Sequence, residues 1–162
     1  MIAKAPLTHL NARGEAHIVD IGNKSATHRR AVAEARLEAL PETIAAIVDG
    51  SLKKGDALAV ARIAGIMAAK RTSDLIPLCH PLPIDSVTVN FSFPDDTSIR
   101  VETAAACSGK TGIEMEALVA ASAAALTIYD MCKAAQRDIV IEQLQLEEKS
   151  GGRSGHWVRS SV

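Results

Sequence analysis

The stretch Arg30-Ala-Val-Ala-Glu-Ala-Arg-Leu-Glu-Ala-Leu40 decides how this chain folds. Its alanines favour helix, but its pattern does not. Ala31, Ala33, Ala35, Leu37 and Ala39 fall on one side, and Glu34, Arg36 and Glu38 on the other. A period of two held over a full segment predicts a strand with one face buried.

The elements around it follow from local chemistry. His17-Ile18-Val19-Asp20 reads as a short extended piece, and Pro41 suits the first turn of a helix running to about Val48, with Gly50 as its stop. Lys53-Lys54-Gly55 is a basic turn. Asp56 can cap the next helix, Ala57 to about Arg71, which is so apolar that both of its faces are expected to be covered. Pro77, Pro81 and Pro83 hold Leu75 to Pro83 in an irregular loop. Val87, Val89, Phe91 and Phe93 alternate with polar residues, turn at Pro94-Asp95-Asp96, and resume at Ile99, Val101 and Thr103, giving a hairpin. Glu114 to about Arg137 is a long helix and Ile139 to Leu146 the last strand. This order predicts an α+β fold, a ferredoxin-like split βαβ sandwich with an antiparallel sheet and helices on one face. The alanine-rich surface of Ala117 to Leu126 exceeds what one small sheet would use, so close helix packing between subunits is expected.

A chain of 162 residues suits a single domain, 1–162, burying roughly two thirds of its unfolded surface. A mobile N-terminal segment and a flexible C-terminal loop over 149–162 are expected at its ends. A net charge of −1 and 2% aromatic residues argue against nucleic-acid binding by phosphate neutralisation or base stacking. Cys79, Cys107 and Cys132 are an odd number at wide spacing with no signal peptide before them, which reads as a reduced, cytoplasmic protein. The run Leu118 to Leu126 is far short of the roughly 20 residues a membrane span needs.

Four segments put polar groups into sequence otherwise built for burial: Asp74 to Leu82, Lys110 to Leu118, Ile128 to Lys133, and Lys149 to Gly155. Apolar surroundings shift protonation equilibria, as acid–base chemistry near neutral pH requires. Ser108-Gly109-Lys110-Thr111 imitates a phosphate loop, but the pattern needs a glycine where Ala104 stands, and Glu114 and Glu116 set negative charge at the helix start; Lys110 remains free to meet an anion. No cysteine or histidine has zinc-ligand spacing. Asp130 and Lys133, three apart among Ile128, Tyr129, Met131 and Cys132, share a helix face and would hold each other charged in a poorly solvated place.

These residues carry a resemblance. Gly55 to Ile66, Ala68 to Thr72, Asp74 to Leu82, Gly109 to Gly112, Glu114 to Leu118, Leu126 to Ala134 and Lys149 to Gly152 together closely resemble the cyclic pyranopterin monophosphate synthase family, the molybdenum cofactor biosynthesis protein C family. The resemblance implies a lyase that converts 3′,8-cyclo-7,8-dihydroguanosine 5′-triphosphate to cyclic pyranopterin monophosphate and pyrophosphate, working as a homohexamer, a trimer of dimers. It also implies that Asp130, Lys133 and Lys54 are catalytic. Leu78, Cys79, His80, Met115 and Glu116 then contact substrate, and Glu114, Arg29 and Lys149 surround the pocket. Arg153 stands where lysine is at least as common in the family. No tightly bound cofactor is implied, and a divalent metal accompanying the triphosphate is left open.

The residue types suit that chemistry. Rearranging a purine-derived ring needs successive proton transfers, and closing a cyclic phosphate needs an activated hydroxyl and a stabilised leaving group. Asp130, Lys133 and Lys54 are assigned to proton transfer, His80 and Glu116 to the heterocycle and ribose, and Arg29, Lys149 and Arg153 to the triphosphate. A non-catalytic nucleotide- or pterin-binding oligomer and a nucleotide hydrolase are the rival classes. Glu116 and Asp130 are 14 residues apart, about 21 Å along one helix, so a pocket using both needs two antiparallel copies. Lys149 to Gly155, with Gly151, Gly152 and Gly155, is expected to be mobile and to close over the phosphates.

Overall fold

The computed structural model describes residues 9–160; residues 1–8, in the N-terminal segment expected to be mobile, and 161–162 lie outside the described residues. The elements are β1 (Thr27–Glu38), α1 (Pro41–Val48), α2 (Ala57–Ala69), a short α3 (Thr72–Leu75), β2 (Ser86–Ser92), β3 (Ser98–Gly109), α4 (Glu114–Cys132), β4 (Val140–Ser150) and β5 (Trp157–Val158). The strands form one antiparallel sheet in the order β2-β3-β1-β4-β5, with the helices on one face, the ferredoxin-like arrangement expected.

The alternating segment is the central strand. Ala31, Ala33, Ala35 and Leu37 are buried against the helices, and burying a side chain such as Leu37 contributes about 1.5–3 kcal/mol. On the other face Arg100 of β3 bonds Glu34 and Glu102, a charged ladder across neighbouring strands. β1 lies in unbroken register with β3, from Thr27 opposite Gly109 to Glu38 opposite Ser98. His17–Asp20 is not a strand. Leu10 and Ala16 form an isolated bridge, and His17 N–H donates to the His9 carbonyl, because this exposed stretch has no longer strand beside it to complete a ladder.

α1 has the expected bounds, and Asp56 caps α2 by accepting from the Ala59 N–H at 2.9 Å, a contact worth about 1 kcal/mol. The packing of α2 corrects one expectation. Only its small residues, Ala57, Ala61, Gly65 and Ala69, are buried, while Val60, Ile63 and Met67 stand 47%, 58% and 49% exposed. A single chain covers one face of this helix. The close approach needs glycine: a Cβ at Gly65 would meet the Ala120 carbonyl oxygen and Val89 Cγ2, both at 3.0 Å.

Ala117, Ala120, Ala121, Ala124 and Ala125 of α4 are fully buried within the chain. The alanine surface therefore serves the sheet and α2, and only the remaining side of α4, with Leu126 at 61% exposure, is open. By length and composition α4 could cross a membrane, but half of its apolar window is buried in this fold. α4 ends at Cys132, not near Arg137. The Ala135 and Gln136 N–H groups both donate to the Cys132 carbonyl, closing a last irregular turn, and the Gln136 side chain accepts from Leu40 N–H at 2.9 Å.

The last strand also differs. β4 runs to Ser150 and is followed by β5, with Lys149 opposite Ala31 on one side and Trp157 on the other. Register shifts between Val32/Ala33 and Glu34/Arg36, with Gln143 at φ +52, insert extra residues into β4 and break its alternation. The expected flexible loop over 149–162 is thus strand at Lys149–Ser150 and again at Trp157–Val158, which leaves only 151–156 as a connection.

Candidate functional site

A cleft opens at the start of α4. Arg29 continues the helix-facing row of β1, and Lys149 sits opposite Ala31 of the same row, so both side chains emerge on the helix side of the sheet. Lys149 Nζ lies 3.5 Å from Glu114 Oε1 and 2.6 Å from Ser154 Oγ. Together with Lys24, Lys110 and Arg153 they line a groove of about 750 Å³ holding five cations and the one carboxylate of Glu114. A smaller cavity of about 310 Å³ adjoins it, walled by Val19, Ile21, Leu78, Met115 and Glu116, with Cys79, His80 and Leu82. Both hollows are lined by Lys24, Thr111, Gly112 and Glu114, so they form one cleft with a cationic half and a more enclosed half.

In the enclosed half, Glu116 is 4% exposed. Burial pushes its carboxyl above the usual glutamate range, the nearby Glu114 pushes it further, and a backbone N–H partly opposes them. Burial and the Glu116 charge also raise the Cys79 thiol, which favours its protonated, unreactive form. His80 Nε2 lies 2.8 Å from the Val19 carbonyl. A carbonyl only accepts, so Nε2 carries a proton and donates it to this bond.

A second group of charges stands at the other end of α4. Lys54 Nζ donates to Asp130 Oδ2 and to the Asp130 backbone carbonyl, both at 2.8 Å, and Lys133 Nζ lies 2.6 Å from Asp130 Oδ1. The Lys133 and Lys54 hydrogen bonds draw the Asp130 carboxyl down to about 2, and Asp130 in turn raises Lys133. The pair shares a helix face as expected, but the surroundings are not poorly solvated. Asp130 is 53% exposed and Lys133 51%, since no other element of this chain covers them.

The expected site residues therefore divide. Leu78, Cys79, His80, Glu114, Met115 and Glu116 line the enclosed half, and Arg29, Lys149 and Arg153 the cationic half. Asp130, Lys133 and Lys54 meet one another elsewhere, about 21 Å from Glu116 by the helical rise. The sequence reading missed Lys24, which lines both halves; it lies in a short polar stretch with no periodic or motif signal. Lys110, within the imitation phosphate loop, donates to the Gly22 carbonyl at 2.7 Å and lines the groove. Among the described residues no group of three His, Cys, Asp or Glu side chains is placed to hold a metal ion.

Fold and cleft define a ferredoxin-like α+β protein with a cation-lined cleft at a helix start. The chain belongs to the MoaC family: the model of that family matches residues 18–152, from the segment before β1 to the Gly151-Gly152 pair after β4. Its role is therefore in molybdenum cofactor biosynthesis.

Proposed function

We propose that the protein is a cyclic pyranopterin monophosphate synthase, a lyase that takes 3′,8-cyclo-7,8-dihydroguanosine 5′-triphosphate to cyclic pyranopterin monophosphate with release of pyrophosphate. The observation that carries the reading is the two-part cleft: a five-cation groove suited to a polyphosphate joins an enclosed cavity suited to a heterocycle. Arg29, Lys149 and Arg153 bind the phosphates and neutralise the charge that develops on the departing pyrophosphate. His80 and Glu116 hold the ring system. Glu116, whose proton affinity burial raises, is placed to exchange a proton with a ring nitrogen or oxygen.

Asp130 with Lys54 and Lys133 acts on the same substrate from a second copy. Two α4 helices packed antiparallel about a twofold would bring the last turn of one beside the first turn of the other. The open side of α4 and the uncovered Val60, Ile63 and Met67 of α2 give such contacts apolar surface, in keeping with a homohexamer built as a trimer of dimers. Held at about 2, Asp130 keeps its charge at neutral pH and fixes the two ammonium groups as donors and as stabilisers of negative charge. Three free cysteines, Cys79, Cys107 and Cys132, suit a cytoplasmic setting.

A non-catalytic nucleotide- or pterin-binding oligomer is the second reading, favoured by the distance of Asp130 from the cleft in a single chain. Incubation with the cyclised GTP intermediate separates the two. Pyrophosphate and a pterin product support the synthase, while saturable binding without turnover supports the binding oligomer. The same assay run with chelator tests whether a divalent metal accompanies the triphosphate.

A further inference from the structure

Arg29 is held in the groove by the backbone around it. Its Nε donates to the Gly109 carbonyl at 3.2 Å, and among the described residues no carboxylate forms an ion pair with it. The turn after β4 passes directly against its guanidinium. A Cβ on Gly152 would stand 2.2 Å from Nη1, 2.7 Å from Cζ and 2.9 Å from Nη2, so the guanidinium, the far end of a flexible side chain, would have to move aside. A Cβ on Gly151 would stand 2.1 Å from the His28 carbonyl oxygen. Both glycines have left-handed backbones, at φ +96 and +72.

Backbone conformation alone does not account for Gly152. Gly155 in the same turn is also left-handed, at φ +62, yet a Cβ there would meet nothing within 4 Å. The turn thus contains three left-handed glycines, of which only Gly152 abuts a charged side chain.

We infer that Gly152 is a positioning residue for Arg29: its bare backbone seats the guanidinium between the Gly109 carbonyl and the β4–β5 turn, presenting a fixed fork to the phosphates. This rests on the reading of the groove as a polyphosphate site. Arginine suits the place because a planar fork already locked by one hydrogen bond loses little freedom when it binds phosphate oxygens. A lysine on a free stem would have to be ordered at the moment of binding.

The test measures inorganic pyrophosphate binding by calorimetry, with melting temperatures, for the wild type, Gly152→Ala, Gly155→Ala, Arg29→Ala and the Arg29→Ala/Gly152→Ala double variant. Gly152→Ala is expected to weaken binding about ten- to a hundredfold, as does Arg29→Ala, because each removes a charge-assisted contact. Gly155→Ala should bind like the wild type, and the double variant no more weakly than Arg29→Ala. Wild-type binding by Gly152→Ala, or fully additive losses in the double variant, would overturn the inference. If the wild type itself fails to hold pyrophosphate, the polyphosphate reading falls. The seat of Arg29 is then decided by the crystal structure of Gly152→Ala, where a guanidinium displaced from the Gly109 carbonyl supports the inference and an unmoved one ends it.

Discussion

At its first turn α4 is met by the 78–82 loop, the 19–24 segment and the β4–β5 turn, and Glu116 is enclosed there with its carboxyl raised. At its last turn the same helix presents Asp130 to solvent, and two lysines draw that carboxyl down to about 2. The two acids differ in walls more than in kind. Burial with few counter-charges raises the proton affinity of one, and paired cations in the open lower that of the other. A helix can thus carry a walled half-site at one end and an unwalled one at the other, each lacking what the other has.

Asp130→Asn should produce the largest effect. Turnover of the cyclised GTP intermediate is expected to fall by about 10²- to 10⁴-fold, with the melting temperature nearly unchanged because an exposed ion pair adds little stability. Steady-state pyrophosphate release beside a thermal melt measures both. Near-normal turnover would detach the C-terminal end of α4 from the chemistry and break the comparison.

Mixing an inactive Glu116 variant with an inactive Asp130 variant should restore about a quarter of wild-type activity, since half of randomly paired dimers would be hybrids with one intact site in two. No recovery after verified subunit exchange would mean that the two ends never meet across copies.

Lys149→Ala should weaken substrate binding about tenfold, through loss of a charged contact, with little change in melting temperature. Titration of pyrophosphate together with kinetics checks this. An unaltered affinity would remove Lys149 from the walled end.

Glu116→Gln gives the smallest and most diagnostic change in stability. Because the folded carboxyl is raised, the folded state binds its proton more tightly than the unfolded chain, and stability declines as pH rises from the ordinary glutamate range through the folded value. The substitution should therefore raise the melting temperature at pH 7–8, and the gain should vanish below about pH 4.5. Asp130 has the opposite sign: its small contribution is present at neutral pH and fades as pH falls from the ordinary aspartate range toward 2. Melts of both variants across pH sharpen the contrast; equal pH dependence would erase it.

Much of the fold was legible wherever a short-range rule acted alone. The period of two from Ala31 to Leu37, Pro41 at a helix start, Asp56 as a cap and the β2–β3 hairpin all appear as read. α4 was overrun because Ala134-Ala135-Gln136 has helical propensity, while in the fold the Gln136 side chain is engaged by the distant Leu40 N–H. β4 was cut short because its bulges hide the alternation. At the site, the three-residue spacing of Asp130 and Lys133 predicted their contact, whereas nothing local pairs Lys54 with Asp130 across 76 positions or marks Lys24.

The sequence by itself determined periodicity, caps, turns and the chemical types at the site, because these depend on sterics and hydrogen bonds within a few residues. Tertiary structure alone decided that α2 turns its small residues inward and leaves Ile63 and Met67 outside, since the helices approach so closely that even a Cβ at Gly65 would stand 3.0 Å from the Ala120 carbonyl oxygen. It also decided that Arg29, Lys149 and Glu114 converge while Asp130 stays a helix length away. Strand register and helix packing minimise exposed surface over the whole chain, and no local window contains that sum.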